Sequence, residues 1–166
     1  TWTEDTSVGE TKTWFCIAMS SDGTKQTATV NDGNIWRSTD SGATWTEDTS
    51  VGSTKKWRWI AMSSDGTKQT AVVRDGNIWR SNDSGATWTE DTSVGSTKPW
   101  RGIAMSSDGT KQTAVVYGGN IWRSVDSGAT WTEDTSVGST QRWRGIAMSS
   151  DGTKQTAVAN GGNGGN

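Results

Sequence analysis

The run TWTEDTSVG begins at Thr1, Thr44, Thr87 and Thr130, so the 166-residue chain is a 43-residue unit written nearly four times. A repeat this regular constrains the fold before composition is considered. Each copy must take the same local structure, and one unit of this size cannot bury an apolar face alone, so neighbours stack and share a core. The units are 1–43, 44–86, 87–129 and a shorter 130–166, in which NGGNGGN stands where earlier copies read NDGNIWR or RDGNIWR. We treat 1–166 as one domain. The chain starts and stops inside a unit, which reads as an excerpt of a longer array or a deliberately cut design. Composition narrows the choice. Leucine is absent, while 12 Trp stand against one Phe and one Tyr, which argues against a helical bundle.

Inside one unit, short β-rich runs alternate with turn clusters. The second copy predicts strand A over Trp57 to Met62, a turn at Ser63 to Gly66, strand B over Gln69 to Val73 and a tight hairpin at Asp75 to Asn77. Strand C follows over Asn77 to Ser81, a turn over Asn82 to Ala86, and strand D from about Thr87 to Thr92. Asp-Gly pairs supply the positive φ of tight hairpins, so consecutive antiparallel pairing is expected. Strand A is nearly all apolar and strand D alternates, which predicts A as the most buried strand and D as the outermost. A meander of four strands with a period near 40 to 50 residues is the pattern of a β-propeller blade. The expected fold is all-β, a propeller of four-stranded antiparallel blades with about four blade-equivalents in the chain.

Each junction of strands C and D carries S-x-D-x-G-x-T-W: Ser38, Asp40, Gly42, Thr44 and Trp45; Ser81, Asp83, Gly85, Thr87 and Trp88; Ser124, Asp126, Gly128, Thr130 and Trp131. This resembles the Asp-box, or BNR, repeat of bacterial sialidase-like propellers, and with the period the resemblance covers essentially the whole chain. Short polar side chains bond turn amides, Gly takes a left-handed conformation and Trp covers the hairpin. The aspartates therefore read as turn residues rather than cation ligands. In that family the motif lies away from the active face, so it implies a fold and no activity.

Catalysis is not expected. Sialidase chemistry needs an arginine triad, a Tyr–Glu nucleophile pair and an acid supplied by different blades. Here the one Tyr, Tyr117, shares its column with Asn31, Arg74 and Asn160, and Glu10 is the one Glu outside the TWTEDT runs. The pairs Glu4/Asp5, Glu47/Asp48, Glu90/Asp91 and Glu133/Asp134 sit on one strand, where neighbours point to opposite faces; we expect solvated outer-strand residues. With no His, no general base or metal ligand of that type exists, and one Cys builds neither an internal disulfide nor a zinc site. No cofactor or metal is expected. Net charge -2 argues against nucleic acid, and no apolar run of membrane-spanning length or basic-then-apolar opening occurs.

The copies differ mainly in five columns: Glu10/Ser53/Ser96/Ser139, Thr13/Lys56/Pro99/Arg142, Phe15/Arg58/Arg101/Arg144, Cys16/Trp59/Gly102/Gly145 and Asn31/Arg74/Tyr117/Asn160. These fall on the D-to-A and B-to-C side of a blade. Loops on a rigid scaffold commonly carry binding, so this face is the candidate ligand surface. It brings Trp14, Trp57, Trp100 and Trp143 together with Arg58, Arg101, Arg144, Arg74 and Tyr117. Indole stacks on sugar rings and Arg bonds hydroxyls or carboxylates. Trp at the same blade position in every copy is more often inter-blade core than ligand platform, and with no Leu something must fill that core. The expected role is a non-enzymatic, multivalent carbohydrate-binding or adhesive module, secreted or at the cell surface as the resemblance implies; the alternative is a structural or engineered scaffold without a ligand. Unclosed ends expose strand edges, so two chains are expected to close one ring of about eight blades, with a compact four-blade monomer or a segment of a longer fibre as alternatives.

Overall fold

A computed structural model describes residues 1–161. The sequence repeat becomes a structural one. The first unit forms β1 (Trp14–Met19), β2 (Gln26–Gly33), β3 (Ile35–Ser38) and β4 (Thr46–Asp48). The second forms β5 (Lys55–Met62), β6 (Gln69–Gly76), β7 (Ile78–Ser81) and β8 (Thr89–Asp91). The third forms β9 (Lys98–Met105), β10 (Gln112–Gly119), β11 (Ile121–Ser124) and β12 (Thr132–Asp134), and the fourth β13 (Gln141–Met148) and β14 (Gln155–Ala159). The segment before Trp14 forms no strand, and 162–166, most of the glycine-rich close of the chain, lies outside the described residues.

Each unit is an antiparallel meander in which every strand pairs with the next, for example Ala71↔Trp79 between β6 and β7 and Trp79↔Glu90 between β7 and β8. The Asp75–Asn77 corner does more than the expected hairpin. Val73 N–H still donates to the Asn77 carbonyl at 3.2 Å. Strand β6 nevertheless runs on through Gly76 and pairs there with the first strand of the next unit, Arg74↔Pro99 and Gly76↔Lys98. Equivalent pairs join β2 to β5 and β10 to β13, so the blades form one 14-stranded sheet that does not close. Asp75, with φ of 56°, makes the bend. Gly76 follows it because a Cβ there would stand 2.6 Å from a Val73 methyl.

The burial order corrects the sequence expectation. The second strand, not the first, is the most buried: Gln69–Val73 of β6 are buried throughout, while in β5 Lys56 and Trp59 are exposed. A second strand has hydrogen-bonded neighbours on both sides and a blade on each face. The first strand has one side turned toward the middle of the arc. Two apolar cores lie between blades, one joining Ile35 of the first unit to Trp57, Ile60, Ala71, Val73, Trp79 and Trp88 of the second, the other repeating this with Trp100, Ile103 and Trp122. Within each, tryptophans meet edge to face, Trp57 to Trp79 at 6.1 Å and Trp100 to Trp122 at 6.4 Å, the arrangement that ring quadrupoles favour.

Candidate functional site: arginines on the inner bulges

Every first strand carries one residue too many for its partner. Trp57 pairs with Val73 and Trp59 with Val72, so Arg58 lies opposite nothing; Phe15, Arg101 and Arg144 occupy the same bulge in the other units. A bulge re-aims its side chain. In this way one of the variable columns of the repeat, arginine in three of its four copies, is turned out of the blade and set in a row along the inner strands.

The row is held in two stacked groups. The Arg58 guanidinium lies 4.5 Å from the Phe15 ring centre, and those of Arg101 and Arg144 flank Tyr117 at 5.3 and 5.0 Å, within cation–π range. Trp59 meets Phe15 edge-on at 6.0 Å. Burial, then the charges of Arg101 and Arg74, push the Arg58 guanidinium below its ordinary pKa, which marks a crowd of like charges. Arg74 has a carboxylate at 3.3 Å, Asp75. Arg58, Arg101 and Arg144 have no ion-pair partner among the described residues, and Arg58 Nε and Arg101 Nε are buried without a hydrogen-bond acceptor. Beside the row, Lys55, Lys56, Arg74, Asn77 and Glu90 line a notch of about 200 Å³.

The tryptophans expected here divide. Trp57 and Trp100 are 1% and 0% exposed and Trp143 is buried, so their rings offer no face to a ligand. Trp14 of the same column is 43% exposed because no blade lies against it. Their work is packing, and Lys12, Lys55 and Lys98 each place an ammonium 4.8 Å from the ring centre of Trp36, Trp79 and Trp122, on the third strand of the same unit. The S-x-D-x-G-x-T-W positions fold as local turns. Ser81 Oγ donates to Asp83 at 2.7 Å and accepts from Gly85 N–H at 2.9 Å; Asp83 accepts from Thr87 N–H and Oγ at 2.9 and 2.6 Å. The turns at Ser38, Asp40, Gly42 and at Ser124, Asp126, Gly128 repeat these bonds. Trp88 and Trp131 are buried behind them, while Trp45 is half-buried and donates its indole N–H to Asp5.

One expectation needs correcting. Asp48 and Asp91 are not solvated: they are buried, and each accepts from the backbone N–H of the Ser two residues on, at 2.8 Å. Their strand neighbours Glu47 and Glu90 face solvent, as strand alternation requires. Cys16 is half-buried, and burial raises its thiol pKa, away from the reactive thiolate. No group of three or more metal-ligating side chains occurs among the described residues.

No protein-family pattern matches the chain, and no curated protein matches it in sequence. Solved structures do match. YCF48 from Cyanidioschyzon merolae superposes with a TM-score of 0.67 at 18% identity, over 88% of this chain and 48% of that one. The RRP9 WD40 repeats give 0.69 at 11% identity, over 91% and 46%. The fold is a β-propeller. The GH74 xyloglucanase of Xanthomonas campestris matches with 0.66 at 14% identity, over 86% of this chain and 26% of its own. Enzymes and WD40 propellers thus share this architecture, and the chain spans about half the length of YCF48 and RRP9.

Proposed function

We propose that this open propeller is a non-enzymatic binding module of the Asp-box type that takes an acidic carbohydrate on its inner arginine row. One observation supports this above the others: Arg58, Arg101 and Arg144 stand on successive bulges beside Phe15 and Tyr117, and none of them forms an ion pair with a carboxylate of the described residues. Unpaired guanidiniums favour carboxylate or sulfate, which they bind bidentately, and the rings of Phe15 and Tyr117 hold those guanidiniums in place by cation–π contact. Repetition supplies weak sites in a line, and a chain with repeated charges engages several at once, gaining avidity. An extracellular or cell-surface setting fits such a ligand.

An array of acidic and neutral glycans, probed with the native chain and with R58S/R101S/R144S, tests the reading. Binding to acidic glycans that weakens at least tenfold in the triple variant, with neutral glycans silent, is expected. No glycan binding, or equal binding by the variant, overturns it. In that case the near-identity of the units favours the other reading, a scaffold that binds nothing on this face.

A further inference from the structure

The two end faces of the molecule match each other, because each is one half of an interface already made three times inside the chain. Thr27 Oγ donates to Gln69 Oε1 at 2.8 Å, Thr70 to Gln112 at 2.8 Å and Thr113 to Gln155 at 2.7 Å. Ser21 N–H donates to the Ser64 carbonyl, Ser64 to Ser107 and Ser107 to Ser150. Lys25, Lys68 and Lys111 each place Nζ 2.8 to 2.9 Å from the carbonyl of Asp65, Asp108 and Asp151. Each lysine stem crosses a glycine of the next blade so closely that a Cβ there would meet Cδ at 2.7 to 2.8 Å, at Gly66, Gly109 and Gly152.

The series stops at both ends with its parts still in place. On the trailing face of the fourth unit, Thr156 and Lys154 are exposed, and Val158 is 58% exposed where Val115 is 0%. On the leading face of the first unit, among the described residues, Gly23 has nothing within 4 Å and the Gln26 carboxamide oxygen accepts from no blade, and Ile17 is 54% exposed where Ile60 is 4%. An apolar cleft of about 590 Å³ opens there, lined by Trp2, Trp14, Ile17, Ala28 and Trp45 among others.

We propose that the trailing face of one copy docks on the leading face of a second, head to tail, and that two copies close one ring. Thr156 then donates to Gln26, Ser150 N–H to the Ser21 carbonyl, and Lys154 lays its stem over Gly23 to reach the Asp22 carbonyl of the other copy. Each bond repeats one seen within the chain, so the docking geometry is that of an ordinary blade junction. The faces are different patches, so the contact is heterologous and forms a ring only if the rotation closes. Two copies is the count proposed, and the mass of the particle tests it. This inference is independent of the ligand.

Native mass spectrometry and light scattering of the native 17.7 kDa chain test it. A particle of twice that mass is expected. I17E, on the leading face, and V158E, on the trailing face, each leave a single-chain mass with the strand signal in circular dichroism unchanged, both positions being exposed in the single chain. Mixing the two variants restores a pair, because one intact leading face meets one intact trailing face. The milder K154A/T156V, which alters only exposed side chains, raises the dissociation constant by roughly tenfold or more through its lost hydrogen bonds. A single-chain mass for the native protein at every concentration overturns the proposal. So does a native-like pair from both I17E and V158E, or a ladder of masses growing beyond two.

Discussion

Asp83 shows how much one side chain organises in this repeat. Burial raises its pKa, but the hydroxyl and amide of Thr87 and the hydroxyl of Ser81 outweigh that and hold the carboxyl down at about 2. Asp40 and Asp126 are held at about 2 by the equivalent Thr44 and Thr130, with Ser38 and Ser124. A second set, Asp22, Asp65 and Asp151, is depressed to about 2 by Ser20, Ser63 and Ser149 and by the Thr two residues on. Folding therefore prefers these groups ionised. In the unfolded chain they take up protons near pH 4, so the stabilisation is complete above that and is lost as pH falls from about 4 toward 2. The urea midpoint is expected to fall steeply across that window and to stay nearly level from pH 5 to 8, where the absence of His leaves no side chain of ordinary pKa to titrate. D40N/D83N/D126N should flatten the acid limb; a native midpoint unchanged between pH 4 and 2 would sink the argument.

At the scale of the strand, equal residues do unequal work according to what lies across from them. Trp100 is enclosed between blades and donates its indole N–H to the Gly76 carbonyl at 3.0 Å, whereas Trp14, in the same column, looks onto the open leading cleft. Trp100→Ala removes a fully enclosed ring and is expected to cost about 3–5 kcal/mol. Trp14→Ala, measured by the same denaturant titration in a single-chain background such as I17E, should cost less than half as much; equal losses would contradict the packing described. The strands themselves were legible, since periodicity and Asp-Gly turns place them within a few residues of β5 to β8. What could not be read was what passes between units. Lys68 and Gln69 look like a polar turn end and a polar strand start, yet Lys68 bonds the Asp108 carbonyl and Gln69 is buried against Thr27. Their signal was the identity of SSDGTKQT in every copy, which a freely solvated turn would not need. The bulge at Arg58 was equally hidden, because the register that creates it depends on the pairing of two strands and not on either alone.

Across the whole molecule, stability is a chain of nearest-neighbour junctions more than a single core. The second and third units have a blade on each side, and the first and fourth have one. Near-identity of the units makes this measurable with little confusion. Amides at Thr113 to Val115 of β10 and Thr156 to Val158 of β14 lie in the same TAV sequence, so their intrinsic exchange is nearly equal and any difference reports position alone. In the single-chain I17E protein, β14 is expected to exchange much faster than β10, because β14 is largely exposed and, among the described residues, pairs with β13 alone, whereas β10 is buried and pairs with β9, β11 and β13. In the native chain, docking of a second copy covers Val158 and Thr156 and should draw the two rates together. Protection of β14 that is low and the same in both proteins would mean that the trailing face stays open; protection that rises to meet β10 only when the leading face is intact would mean that the fourth blade finds its neighbour in another copy of the same chain.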